Sequence, residues 1–211
     1  MARPEQVHVV ENGFDDVGLR QLSLAAVPPV TATPEAAGRT LVYAGKFREN
    51  ASPMPLLRAV AELEAQGEAC RVVHVGAPSA EVEEQARAHG YRLEARGLVP
   101  YLETLSLLRA SDVGIVYSEG HPFEATTKIY DYIAVGKPIL GIGVHPEGGI
   151  HDILKRYGAY RICPNEPEAI ASALRDLLHL PATPEPIEPP AAFGRRHQTQ
   201  CLAEILEQVI H

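Results

Sequence analysis

The sequence predicts an α/β protein with a doubly wound, mostly parallel sheet and a C-terminal helix packed back on it. Short apolar runs alternate with amphipathic segments from residue 40 to residue 180, and parallel strands joined by helices produce this alternation. The amphipathic pattern returns over residues 196–210, after a proline-rich stretch. The Rossmann fingerprint GxGxxG does not follow the first apolar run, so a dehydrogenase is not expected.

The first half of the predicted sheet has three strands, each ending near a glycine or a polar turn. They are expected over residues 40–44, 71–75 and 93–98. A helix is expected after the first strand because leucine and valine recur at helical spacing from Leu56 to Leu63. A polar helix over residues 79–89 follows the second strand and ends at Gly90.

The second half of the sheet is predicted from three further apolar runs. They cover residues 113–117, 139–142 and 160–163. A helix that begins at Pro100 leads to the first of these strands, because proline is well tolerated in a first helical turn. A short helix is expected to end at Ala134, another between Gly149 and Gly158, and a third after Pro167.

Proline-rich stretches divide the chain into three regions. Residues 1–39 are interpreted as an interdomain segment with an extended connector at 25–38, and residues 40–180 as the main Rossmann-like domain. Residues 181–211 are interpreted as a stiff connector followed by the C-terminal helix. The expected unit is therefore one α/β domain with flanking segments on both sides.

Composition excludes several functional classes. The net charge of −8 argues against nucleic-acid binding, and no apolar run approaches the roughly 20 residues of a membrane span. Three widely spaced cysteines fit neither a disulfide framework nor a zinc site, which indicates reduced thiols in a cytoplasmic protein. The nine histidines show no HExxH-like spacing, so no metal site is expected.

The loop after residues 113–117 is the expected binding region, because ligands of open α/β sheets bind at the carboxyl ends of strands. Thr126 and Thr127 occupy the expected N-cap of the following helix, whose N–H groups suit a phosphate. Lys128 lies in the first turn, where a cation opposes the helix dipole and is a poor choice for stability alone. The pattern therefore favours an anionic ligand.

Four further motifs accompany the central segment Lys128-Ile129-Tyr130-Asp131-Tyr132 and its Gly136-Lys137-Pro138 turn. They are Asn12-Gly13-Phe14-Asp15, Tyr43-Ala44-Gly45-Lys46, Ala110-Ser111-Asp112-Val113 and the terminal helix. In this order they resemble the C-terminal, donor-binding half of retaining family-4 "group 1" glycosyltransferases with the GT-B fold. The resemblance covers residues 7–210.

This resemblance implies an activity. Such an enzyme transfers a sugar from a nucleotide-diphosphate sugar to an acceptor hydroxyl, with retention and without a metal or other cofactor. The acceptor site of these enzymes lies in an N-terminal domain, so we expect a donor-binding domain that is isolated from it and inactive alone. A nucleotide-sugar epimerase of the same architecture and a non-catalytic nucleotide-binding module are the alternatives.

The resemblance also implies site residues. Gly45 and Lys46 would form the loop that contacts the donor diphosphate, together with Lys128; for each lysine the alternative is an ordinary surface role. Asp131 would accept hydrogen bonds from the ribose hydroxyls, and its alternative is an i,i+3 salt bridge with Lys128. Glu119 and Glu124 are the candidates for contact with the sugar, and the alternative is a solvated loop carboxylate.

Two positions depart from the family pattern. Members usually carry two glutamates eight positions apart, but the residue eight positions before Asp131 is Phe123, which leaves both loop glutamates as candidates. A lysine often follows the basic loop residue by five positions, where this chain has Ala51. Either this positive charge is absent from the chain or Arg48 supplies it.

Overall fold

The sheet has six strands in the order β3-β2-β1-β4-β5-β6, and every neighbouring pair is parallel. The strands are β1 Arg39–Ala44, β2 Cys70–Val75, β3 Leu93–Ala95, β4 Val113–Tyr117, β5 Ile139–Ile142 and β6 Tyr160–Cys163. The computed structural model describes residues 7–24, 38–48, 51–124, 126–179 and 191–210. The strand order reverses between β1 and β4, which makes the carboxyl ends of these two strands the topological switch point.

Eight α-helices are described, and a short 3₁₀ turn, Ala191–Phe193, precedes the last of them. They are α1 Asp16–Leu24, α2 Met54–Ala65, α3 Ala80–Ala88, α4 Tyr101–Ala110, α5 Lys128–Ala134, α6 Gly149–Tyr157, α7 Pro167–Leu178 and α8 Arg195–Ile210. The predicted doubly wound α/β fold is therefore confirmed. In the described parts of the chain, no helix has the length and apolar character needed to cross a membrane.

Alternating strand residues build two cores, one on each face of the sheet. Leu41 and Ile115 face α2 and α7, whereas Val42 and Val116 face α4, α5 and α6. Both members of each pair are at most 3% exposed. Apolar side chains buried on both faces explain why the central strands have nearly continuous apolar sequences.

The N-terminal region contains a helix that the sequence analysis did not predict. Residues 1–39 were interpreted as interdomain segment and connector, yet α1 forms within them and packs against α4 through the buried Leu22. The apolar run over residues 7–10 forms no strand. Most of the expected connector at 25–38, and all of residues 181–190, lie outside the described residues.

The C-terminal helix contacts the rest of the protein through its first turns. Arg195 N–H donates to the carbonyl of Phe14 at 3.0 Å, and Glu11 N–H donates to Oε1 of Gln198 at 3.1 Å. Farther along α8, Leu202, Leu206 and Val209 are exposed. The predicted packing of this helix on the domain is thus concentrated at its N-terminal end.

Tyr132 connects α5 to the strands that carry the switch point. Its ring is fully buried against Gly114 of β4, and its hydroxyl accepts a 2.9 Å hydrogen bond from the N–H of Ala44. That N–H therefore has a partner although the pairing of β1 with β4 ends at Tyr43. The contact fixes the end of β1, and with it the following loop, relative to α5.

Candidate functional site

A cavity of about 320 Å³ lies at the carboxyl ends of β1 and β4. Seven of the eight predicted site residues line it: Gly45, Lys46, Glu119, Glu124, Thr126, Thr127 and Lys128. The position agrees with the rule that ligands of open α/β sheets bind at the switch point. The structure thus brings these residues together, and their individual roles stay predictions.

The loop after β1 is held by three hydrogen bonds. Gly45 N–H donates to the carbonyl of Val75 at 2.9 Å, and the buried His74 ring lies 2.8 Å from the carbonyl of Gly45. The hydroxyl of Tyr43 donates to the carbonyl of Lys46 at 2.8 Å. Burial lowers the pKa of His74, which keeps its ring neutral. The backbone of Lys46 is therefore fixed, while its side chain is exposed.

The two loop glutamates have different surroundings. Oε2 of Glu124 accepts a hydrogen bond from the hydroxyl of Ser118 at 2.5 Å and another from the N–H of Glu119 at 2.8 Å. Glu124 therefore ties the loop between β4 and α5 together. Glu119 pairs with Arg48 at 2.9 Å, which joins this loop to the loop after β1 across the cavity.

Three cationic side chains line the cavity: Lys46, Arg48 and Lys128. Ala51, at the position where the family usually has lysine, also lines it and is buried. Arg48 lines the same cavity and stays the candidate for the substitute cation. Three positive charges against two carboxylates favour an anionic ligand in a partly enclosed space.

The N-terminus of α5 differs in one detail from the prediction. Thr127 is the N-cap residue, but its backbone is helical and its side chain makes no capping hydrogen bond. The hydroxyl therefore does not satisfy the first N–H groups of the helix. Thr126 and Thr127 both contribute to the cavity wall.

Asp131 lies outside the residues that line the cavity. It is 9% exposed, and its Oδ1 accepts a 2.9 Å hydrogen bond from the hydroxyl of Tyr101 at the start of α4. Burial raises the pKa of Asp131, while Tyr101 and the charge of Lys128 act in the opposite direction. Tyr101 rather than Lys128 is thus its hydrogen-bond partner, and this differs from the salt-bridge alternative.

Sequence reasoning did not single out the tyrosines at this edge. Tyr43 and Tyr117 line the cavity, and Tyr101 meets Asp131. Their positions offered a signal, because Tyr43 and Tyr117 stand at the ends of predicted strands and Tyr101 follows Pro100 at a helix start. All three positions belong to the carboxyl edge in a parallel sheet.

Solved structures resemble this chain in fold. HepE from Anabaena, in complex with UDP and glucose, shares 18% identity over 97% of this chain and 58% of its own, with a TM-score of 0.68. The N-terminal domain of trehalose-6-phosphate phosphatase from Candida albicans shares 15% identity over 94% of this chain and 49% of its own, with a TM-score of 0.63. WaaG, a glycosyltransferase involved in lipopolysaccharide biosynthesis, shares 15% identity over 84% of this chain and 49% of its own, with a TM-score of 0.60.

These similarities concern part of each compared protein, because the chain spans about half the length of those structures. No curated protein sequence matches it. The sequence profile described as "Glycosyl transferases group 1" matches residues 38–179, which include all six strands. The chain therefore belongs to the group 1 glycosyltransferase family.

Proposed function

We propose that this chain is the C-terminal, donor-binding domain of a retaining family-4 glycosyltransferase with the GT-B architecture. It binds a nucleotide-diphosphate sugar, and the sugar passes to an acceptor hydroxyl held by an N-terminal domain. The observation that carries the proposal is the cavity at the switch point, which combines three cations with two carboxylates. The free cysteines agree with a cytoplasmic location.

The charges suggest how the domain supports the reaction. Departure of the nucleotide leaves negative charge on the diphosphate, and fixed positive charges stabilise that charge as it develops. Lys46, Arg48 and Lys128 can provide them without a metal ion. Glu119 and Glu124 both stay candidates to bind sugar hydroxyls, because each already uses one oxygen within the protein: Glu119 for Arg48, and Glu124 for Ser118 and the loop backbone.

Asp131 and Tyr101 suggest a place for the ribose. Tyr101 begins α4, and Asp131 lies in the first turn of α5, which also contains Lys128. A carboxylate oriented by a tyrosine hydroxyl retains lone pairs for two ribose hydroxyls. The nucleoside would then extend from the cavity toward α4, while the diphosphate faces Lys46 and Lys128.

Family membership favours sugar transfer over the two alternatives, the nucleotide-sugar epimerase and the non-catalytic binding module. Neither alternative gains a specific observation from the geometry of the site. The epimerase and the transferase share the need for a nucleotide sugar, so donor binding is the property to test first.

Titration calorimetry with UDP, GDP and ADP tests the proposal. At least one nucleoside diphosphate should bind. Lys46→Ala and Lys128→Ala should each reduce its binding free energy by about 1.5–3 kcal/mol if the contact excludes water, and by less if the contact stays exposed. Lys155→Ala is the matched control, because Lys155 pairs with Asp152 on α6, outside the cavity. Affinity unchanged in both cavity variants would refute the diphosphate site.

Asp131→Asn should separate the ribose role from a purely structural one. The variant should lose more affinity for the ribonucleoside diphosphate than for its 2′,3′-dideoxy analogue, because the amide has one oxygen instead of two. An effect on Lys128 alone would weaken both ligands equally. Calorimetry with the two ligands on both proteins measures the difference.

The difference in stability between wild type and the same variant should depend on pH. Burial raises the pKa of Asp131, so the folded state binds the proton more tightly and the wild type loses stability as pH rises from the unfolded pKa through the folded one. The asparagine side chain of the variant does not titrate. We therefore expect Asp131→Asn to gain stability relative to wild type across that window, as measured by urea unfolding at several pH values.

A further inference from the structure

The hydroxyl of Tyr117 is buried without a hydrogen-bond partner. Among the described residues, the only other buried side-chain oxygen or nitrogen in this state is Oδ1 of Asn165. Asn165 lies outside the cavity lining, and its amide nitrogen still donates to the carbonyl of Ser52 at 3.0 Å. Tyr117, in contrast, is 9% exposed at the end of β4 and lines the cavity.

Several other tyrosines in the described chain use their hydroxyls in hydrogen bonds. Those of Tyr43, Tyr101 and Tyr157 donate to Lys46, Asp131 and Lys137, and that of Tyr132 accepts from Ala44. A buried hydroxyl without a partner costs free energy, because it has given up water and gained nothing in return. Phenylalanine would avoid that cost, so the hydroxyl at position 117 calls for a reason.

The surroundings of Tyr117 prepare it to act as a donor. Its ring lies edge-on against Tyr43, with centroids 5.2 Å apart and planes at 84°, and Tyr43 also lines the cavity. Burial raises the pKa of Tyr117 well above its ordinary value, so the hydroxyl keeps its proton. A neutral O–H group on a residue that lines the same cavity as Arg48 matches an oxygen that accepts a hydrogen bond.

We propose that Tyr117 is a donor-positioning residue, whose hydroxyl donates a hydrogen bond to an oxygen of the bound nucleotide-diphosphate sugar. The proposal rests on the proposed function of the cavity. The partner oxygen belongs either to the diphosphate or to the sugar. In both cases the ligand supplies the hydrogen bond that the free protein lacks, so the cost carried by the free protein is recovered on binding.

Tyr117→Phe tests the proposal through stability and binding together. The free variant should be as stable as wild type or more stable, because the lost hydroxyl had no partner. Its affinity for the ligand should fall about 3- to 30-fold, the loss expected for one hydrogen bond. Titration calorimetry and thermal unfolding of the unliganded protein give the two readouts.

Tyr157→Phe is the matched control. It removes a buried hydroxyl that donates to the carbonyl of Lys137 at 2.8 Å, outside the cavity. It should lower the unfolding midpoint by about 2–4 °C and leave ligand affinity unchanged. A similar fall in midpoint for Tyr117→Phe would show that the hydroxyl serves the folded protein instead, for example through a buried water. Either that result or unchanged affinity for every ligand would overturn the proposal.

The choice of ligand identifies the oxygen. The titrations use UDP, GDP and ADP, and then the glucose conjugate of whichever nucleotide binds wild type. Weaker binding of the nucleoside diphosphate itself assigns the contact to a phosphate oxygen, and a loss confined to the conjugate assigns it to the sugar. If wild type binds none of these ligands, the proposed function fails and this inference fails with it. If wild type binds a ligand and Tyr117→Phe binds the same ligand equally well, only the inference fails.

Discussion

Replacing Gly114 with alanine should destabilise the domain by about 3 kcal/mol. An alanine Cβ at this position would lie 2.4 Å from Cδ1 and 2.8 Å from Cγ of Tyr132. The ring has little freedom to move, because Tyr132 is fully buried and its hydroxyl accepts the hydrogen bond from Ala44. The unfolding free energy from urea titration measures the effect.

Gly149→Ala is the control for this substitution. Gly149 opens α6, and the nearest atom to its added Cβ, outside its chain neighbours and its own helix backbone, would be a backbone oxygen 3.9 Å away. The free energy of unfolding of Gly149→Ala should therefore differ little from that of wild type. Equal effects of the two substitutions would mean that the contact between Gly114 and Tyr132 does not limit packing.

The same contact links stability to the site. If alanine at position 114 displaces the ring of Tyr132, the N–H of Ala44 loses its hydrogen-bond partner. The loop that carries Lys46 is then no longer held in a fixed position relative to α5. We therefore expect the folded fraction of Gly114→Ala to bind nucleoside diphosphate more weakly as well. Tyr132 thus has a structural role within the segment that also contains Lys128 and Asp131.

The bounds of β4 and β5 were predictable from the sequence because burial on both faces leaves little ambiguity. β4, β5 and β6 begin and end as expected. β3 ends at Ala95 instead of Leu98, because Gly97 turns with a φ of +69° and Leu98 is 81% exposed. β3 pairs with β2 only over Leu93–Ala95, so it is shorter than the predicted strand 93–98.

The missed helix has a different cause. α1 buries Leu22 against α4, but the surrounding sequence combines a turn signal at Asn12-Gly13 with proline-rich residues after it. Local signals for a connector therefore outweighed a short helical pattern whose stability comes from tertiary packing. The local sequence predicted a linker in this region, but residues 16–24 form a helix because they pack against α4 of the main domain.

The composition of the cavity was more predictable than the contacts inside it. The alternation of strands and helices places Gly45, Glu119 and Lys128 at one edge of the sheet, and the structure agrees. Sequence spacing does not reveal that Arg48 pairs with Glu119, or that Asp131 meets Tyr101. Such contacts depend on loop paths and rotamers, which are set by the packing of distant segments.

This chain alone should transfer no sugar, although it should bind a nucleoside diphosphate. In the proposed enzyme the reaction takes place between two domains, and this chain spans 58% of the HepE structure and 49% of WaaG. Without the second domain the acceptor hydroxyl is not held near the donor. Correct placement of two reactants can account for about 7–11 kcal/mol of the barrier, so its loss should reduce transfer below detection.

An open cleft should also fail to protect the donor. The cavity formed by this chain is open to solvent on the side of Lys46 and Arg48, whose side chains are exposed, and water weakens the electrostatic stabilisation of the leaving diphosphate. The test incubates the chain with UDP-, GDP- and ADP-glucose and a set of sugar acceptors, and it measures glycosylated product and released nucleotide. A complete enzyme of the family serves as the positive control. Product above background from this chain alone would contradict the two-domain proposal. Nucleotide binding without product is the result we expect, because all the residues proposed to recognise the donor belong to this chain.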